Sequence, residues 1–325
     1  MKIFSRLLTT IVLALAVTAT IAKADGFRVQ GSQLIDANGI PFLMRGINHP
    51  HAWYANRIEQ SMADIAATKA NVVRVVLSAG EPWVKTSVDE VEFIIELAKR
   101  NSLIVMFEVH NTTGYGRQEG AMHLAETIPY WLSLRDVLAG EEAYVLINLG
   151  NEPTSSSIGT GSYVEMNIGV IKALRAAGLK HTFVVDGHNW AQDETGAMRE
   201  NAPTIFAADP LKNTIFSVHM YQQYSQAEAI VRYFEAFNDA GLVLIVGEFG
   251  PDHQGKAVDE DTILRAAREL DIGYIAWSWS GNSPPARELD LVLDFDPERL
   301  SPWGQRLIEG VDGIRSTSIP ASVFD

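Results

Sequence analysis

The chain has 325 residues, 47% hydrophobic and 20% charged, and contains no cysteine. That apolar content excludes a disordered or low-complexity protein, and the lack of thiols excludes disulfides, thiolate nucleophiles and sulfur-ligated zinc together. A formal net charge of −14 argues against a phosphate-backbone ligand and suits a neutral or cationic partner.

The first element is an address. Lys2 and Arg6 precede an uncharged run from Leu7 to Ile21, and Ala22-Lys23-Ala24 fits a small-x-small cleavage pattern. The run is short for a membrane span, which needs about 20 apolar residues. Residues 1–24 read as a signal peptide, and 25–325 as one domain exported to the periplasm or the extracellular medium. No later stretch is long and apolar enough to span a bilayer.

After that leader, residues 27–48 predict a β-hairpin with a turn at Ala37 to Gly39, leading into a first buried strand. Short, β-rich apolar runs then recur at Leu43–Asn48, Val72–Leu77, Ile104–Val109, Val145–Leu149, Phe183–Asp186, Phe216–His219, Leu244–Glu248 and Tyr274–Trp279. Amphipathic helix patterns lie between several of them, as at Val88–Arg100, Tyr163–Ala177 and Asp261–Leu270. Eight strand–helix units in about 300 residues predict a single (β/α)8 TIM barrel with an N-terminal β-hairpin. The alternative, an open doubly wound sheet, lacks a Gly-rich dinucleotide fingerprint after the first strand.

In such a barrel the C-terminal strand ends carry the chemistry. Those ends read Asn48-His49-Pro50-His51, Arg74, His110-Asn111, Asn151-Glu152, Asp186, His219-Met220-Tyr221, Glu248 and Trp277-Ser278-Trp279. Glu152 and Glu248 each close an apolar strand, where an ionised side chain is costly without partners. Two carboxylates in one cleft, with aromatic residues at neighbouring ends, suit glycoside hydrolysis. One gives a proton to the leaving oxygen, and the other attacks the anomeric carbon or activates water.

At these residues the chain resembles glycoside hydrolase family 5, and more closely its bacterial endo-β-1,4-mannanase branch. The strings that carry the resemblance are NVVRVVLS, FEVHNTTGYGRQ, YVLINLGNEP, HTFVVDGHNWAQD, FSVHMYQQY, LIVGEFG, YIAWSWSGN and LSPWGQRL. The resemblance implies a retaining mechanism with Glu152 as acid/base and Glu248 as nucleophile. It implies that Arg74, His110, Asn151, His219, Tyr221 and Trp277 surround the sugar at the scissile bond. Asn151 would bind the 2-hydroxyl, Arg74 and Tyr221 would hold the nucleophile, and Trp277 would lie beneath the ring. Asn111, Thr154, the pair Gly187-His188, and Glu194 depart from the pattern of that branch. The implied substrate is a neutral β-mannan, with no cofactor, nucleic acid, membrane or obligate protein partner. A cellulose-cutting endoglucanase of the same barrel is the nearer alternative; a catalytically inactive carbohydrate-binding barrel is the more distant one.

Weaker signals have plainer readings. His49-Pro50-His51 has the spacing of a metallohydrolase His pair, but the Asn-Glu-Pro context explains Glu152 better than a metal does, so no catalytic metal is expected. His51 is left open between cleft and core. Trp53, Trp83, Trp131 and Trp303 read as core or helix-packing residues, whereas Trp190 reads as a sugar platform. Asp252 and His253 fit a cleft wall or a solvated loop equally well. Asp259-Glu260-Asp261 reads as a helix start, where negative charge favours the dipole.

Overall fold

The computed structural model describes residues 26–325, so the expected signal peptide lies outside the described residues. Eight parallel strands close into a barrel: β1 (Arg45–His49), β2 (Val72–Leu77), β3 (Ile104–Val109), β4 (Val145–Asn148), β5 (Phe183–Asp186), β6 (Thr214–Met220), β7 (Leu244–Phe249) and β8 (Gly273–Ala276). β8 returns to β1 with Tyr274 opposite Arg45. The principal helices outside it are α1 (Ile58–Ala67), α2 (Val88–Arg100), α3 (Ile128–Ser133), α4 (Thr160–Ala176), α5 (Ala197–Ala208), α6 (Ala227–Asp239), α7 (Glu260–Glu269) and α8 (Pro302–Glu309). No helix among the described residues is long and apolar enough to cross a membrane.

Local chemistry sets the element ends. Ser87 caps α2, its Oγ accepting from the Glu90 N–H at 3.2 Å while the Glu90 carboxylate accepts from the Ser87 N–H at 2.8 Å. Such a cap contributes about 1 kcal/mol. Asp259 caps α7 by accepting from the Thr262 N–H, as its acidic run predicts. The N-terminal hairpin pairs Arg28–Gln30 with Gln33–Ile35 through a turn at Gly31-Ser32, and the expected turn at Ala37–Gly39 then folds the chain back again, bridging Ile35 to Pro41. Gly31 adopts φ +61, the left-handed turn position that glycine reaches without a Cβ clash. Ala37–Gly39 forms the next turn, closed by the Asp36 side chain accepting from Asn38 and Ile40 N–H groups.

Side chains alternate across each strand, and this period of two stratifies the interior. Inward-facing Val72, Ile104, Met106, Leu146, Val184, Ile215 and Ile275 make an apolar floor, closed from below by Phe27, Leu34 and Phe42 of the hairpin region. Their outward neighbours, such as Val73, Val105, Phe107 and Val185, pack under the helices. Two residues further along each strand, the inward row turns polar: Asn48, Arg74, Glu108, Asn148, Asp186 and Ser217, all buried. The barrel is a packed core with a charged roof.

Candidate active site

Strict alternation would leave Glu248 facing the helices, because Ile245 and Gly247 are the inward residues of β7. A β-bulge changes this. Val218 pairs with Val246, but His219 pairs with Glu248, so Gly247 is the extra residue. From there the phase of β7 reverses and Glu248 turns into the mouth. Only glycine fits the bulge: a Cβ on Gly247 would lie 2.2 Å from Ser217 Oγ.

Glu248 is 5% exposed and both its oxygens are engaged. Arg74 Nη1 donates to Oε1 at 2.9 Å and the Tyr221 hydroxyl donates to Oε2 at 2.9 Å. Arg74 also donates to Asn48, Asn148 and Asn151 side-chain oxygens at 2.9, 3.0 and 2.7 Å, which fixes its fork in one orientation. Burial works against the Arg74 charge, but Glu108, Glu248 and Asp186 outweigh it and raise its pKa. Burial raises Tyr221 well above the ordinary phenol range, with Glu248 adding to it, so its hydroxyl stays a donor.

Glu152 stands just beyond β4 with φ +42, a left-handed conformation that costs a non-glycine residue on the order of 1–3 kcal/mol. Its neighbours impose that conformation. The Glu152 N–H donates to Asp186 Oδ2 at 3.1 Å, its carbonyl accepts from the Gly114 N–H at 2.9 Å, and the Asn151 carbonyl accepts from Thr112 Oγ1 at 2.6 Å. His219 Nδ1 lies 3.0 Å from Glu152 Oε1 and 3.5 Å from Glu248 Oε2. One oxygen of each glutamate and one nitrogen of His219 all lie within 4.8 Å of one another.

Burial raises the pKa of Glu152 well above the usual carboxylate range, and the charges of Glu248 and Asp186 push it further. Burial also raises Glu248, but Arg74 opposes it and holds it at about 7. A proton shared by the pair therefore rests on Glu152. Burial holds His219 well below its usual range, with Arg74 and His110 in the same direction, so the ring between the glutamates is neutral.

The Glu152–His219–Glu248 trio has the spacing to hold a cation. Its donor set fits one poorly, because Arg74 and Tyr221 already occupy both oxygens of Glu248 and the guanidinium brings positive charge to the same place. His49 and His51 do not join the trio. Both are buried, and His51 faces Glu90 of α2 at 3.8 Å, so it is a packing residue and not a cleft residue.

His110 and Trp277 meet at the rim with ring centroids 6.1 Å apart. Trp53 and Trp83, expected in the core, gather around His110 at 4.9 and 5.6 Å instead. Trp53 is 39% exposed, so it is a wall of the mouth. Trp131 and Trp303 are buried as expected. Trp190 is half-buried and rests over Gly114, where a Cβ would meet its ring at 2.1 Å. The Trp190 backbone N–H donates to the Thr154 carbonyl, and the exposed Glu194 accepts from Asn189 beside it. His253 stacks on Tyr221 at 4.5 Å and so belongs to the cleft wall.

Sequence reading passed over Glu108 and Asn148. Glu108 is fully buried and accepts from His110 Nδ1 at 2.9 Å. The signal was available: both follow apolar inward residues of the same parity, Met106 and Leu146, and so belong to the row that holds Arg74.

Fold and site together define a glycoside hydrolase of the (β/α)8 class, with a half-buried Glu152 just past the fourth barrel strand and a buried Glu248 on the seventh. The model of the cellulase family, glycosyl hydrolase family 5, matches residues 35–283. The chain belongs to that family. It is 44% identical over 327 residues to a mannan endo-1,4-beta-mannosidase of Cellvibrio japonicus, spanning 99% of this chain and 76% of that protein. A mannan endo-1,4-beta-mannosidase of Streptomyces lividans is also 44% identical, over 93% of this chain and 79% of the relative. The solved beta-mannanase of Thermomonospora fusca superposes with a TM-score of 0.90 at 50% identity, covering 92% of this chain and 99% of the other.

Proposed function

We propose that the protein is a retaining, endo-acting β-1,4-mannanase that cuts internal bonds of mannan, glucomannan and galactomannan. The observation that carries the chemistry is the close pair of glutamates at the barrel mouth, with unequal proton affinity. In this reading protonated Glu152 gives its proton to the leaving oxygen as ionised Glu248 attacks the anomeric carbon. Glu152 then takes a proton from the water that releases the sugar. A separation this short leaves no room for the water that an inverting enzyme holds between its carboxylates. Arg74 and Tyr221 keep the nucleophile ionised and aimed. Asn151 takes the 2-hydroxyl, Trp277 lies beneath the ring, and His110, His219 and Trp190 line the cleft.

The choice of mannan rests on the relatives at 44–50% identity, which are mannanases. A mannoside carries an axial 2-hydroxyl, and a site built to bond it rejects a glucoside because its own polar groups go unpaired. Export rests on the leader pattern of Lys2 to Ala24 and is checked by sequencing the N-terminus of secreted protein. The assay for substrate compares mannan, glucomannan, galactomannan and carboxymethylcellulose, following reducing ends and viscosity. Fast viscosity loss on the mannans with little action on carboxymethylcellulose is expected. Equal rates on both overturn the substrate, and α-anomers among the first products by proton NMR overturn the mechanism.

A further inference from the structure

Trp277 is anchored at its edge. Its indole N–H donates to Asn282 Oδ1 at 2.9 Å. An indole nitrogen only donates, so Asn282 must present its oxygen there and its NH2 elsewhere. That NH2 donates to Ser278 Oγ at 3.0 Å and to Asp290 Oδ1 at 2.7 Å. The Asn282 backbone N–H donates to the same Asp290 oxygen at 2.9 Å. A carboxylate only accepts, so Trp277 and Asp290 fix the amide from opposite ends. Asp290 is 5% exposed and its own carbonyl is held by Ser301 Oγ at 2.6 Å. On the other side the Tyr54 hydroxyl donates to the Gly281 carbonyl at 2.8 Å.

We propose that Asn282 and Asp290 are positioning residues that hold the Trp277 ring at its working angle beneath the reacting sugar. The inference rests on the reading of Trp277 as the sugar platform. An indole held only by packing rotates about its side-chain torsions, and a misplacement of about 1 Å at a reacting centre costs up to about 100-fold in rate. The loss falls on kcat where the ring is matched to the flattened sugar of the transition state.

The test uses the full chain with mannohexaose. Asn282→Leu is expected to lower kcat about tenfold with KM within about twofold and the melting temperature little changed. Asp290→Leu should do the same, while Asp290→Asn, which keeps an acceptor, should retain more than about half the activity. In a Trp277→Phe background, which lacks the indole N–H, Asn282→Leu should add no further loss. Independently, the Trp277 indole N–H resonance, assigned by its loss in Trp277→Phe, should shift in Asn282→Leu and in Asp290→Leu. An unmoved resonance, a wild-type kcat in Asn282→Leu, or a full additional loss in the Trp277→Phe background overturns the inference and leaves the platform reading standing. A fully active Trp277→Phe enzyme, which keeps an aromatic face without the N–H, overturns the inference alone, whereas a fully active Trp277→Ala enzyme overturns the platform reading and the inference with it.

Discussion

His219 Nδ1 lies 3.0 Å from Glu152 Oε1, and the ring that makes this contact is neutral because burial disfavours its charge. A cationic histidine at that distance would pull the Glu152 proton off. A neutral one leaves the raised affinity of Glu152 intact, and with its ring proton on Nε2, which faces Asp186 at 3.4 Å, Nδ1 accepts from the protonated Glu152.

The two glutamates are separable by chemical rescue. Glu152→Ala should still react with an activated aryl mannoside in the first step, because that leaving group needs no proton. Azide should then speed turnover and give a β-azide. Glu248→Ala should be inactive on aryl and polymeric substrates alike, and any azide product should be α. The opposite pattern of anomers would invert the assignment. Thermal melts of both variants separate a lost catalytic group from a lost brace.

Glu108 raises the pKa of Glu248 by charge and holds His110 by a hydrogen bond. The acidic limb of kcat/KM reports Glu248 losing its proton, so it should lie above the ordinary glutamate value. Glu108→Gln removes a nearby negative charge, which favours ionised Glu248, so the acidic limb should move to lower pH. Peak activity should fall about tenfold as His110 loses its charged partner. A pH–rate profile whose acidic limb stays in place would refute the electrostatic role.

Asn111 ties the end of β3 to the loop that carries Trp83. Its Oδ1 accepts from the Ala79 N–H at 2.7 Å, and its Nδ2 donates to the Gly80 and Glu81 carbonyls at 2.9 Å each. Asn111→Asp would set a carboxylate against two carbonyl oxygens in a buried place. The expected cost is about 1–3 kcal/mol of stability. KM should rise more than kcat falls, because Trp83 lies on the wall of the mouth. Denaturant melts with steady-state kinetics check both.

Gly247→Ala tests the bulge. The added methyl meets Ser217 Oγ and crowds His219 Nε2 at 3.2 Å, so the strand must shift. A loss of about 1–3 kcal/mol is expected, with activity falling much further than stability because the phase of Glu248 depends on this residue. Gly247→Ala combined with Ser217→Ala should recover part of the stability. Wild-type activity in the single variant would show that Glu248 reaches the mouth without the bulge.

Much of this was legible in the sequence. The strands Val72–Leu77 and Ile104–Val109 and the helix Val88–Arg100 have the predicted bounds, because continuous β-branched runs and a capped 3.6-residue pattern are local signals. Strand order then placed Arg74, Glu152, His219 and Glu248 at one end of one barrel. What the sequence did not carry was phase and facing. Strict alternation sends Glu248 outward, and only the pairing of β6 with β7 supplies the bulge that turns it inward. Trp53 and Trp83 resemble core residues until the short helix His51–Tyr54 and the loop after β2 bring them to His110. The turn at Ala37–Gly39 was legible in its Ala-Asn-Gly run, whereas the turn at Gly31-Ser32 that joins the two paired hairpin strands was not. The sequence by itself determined which barrel-strand ends lie at the mouth, since periodicity is written locally along the chain. Only the tertiary structure supplied the cause of the glutamates' unequal proton affinity, because that depends on burial and on the charges of Arg74, Asp186 and Glu108 on strands far apart in sequence.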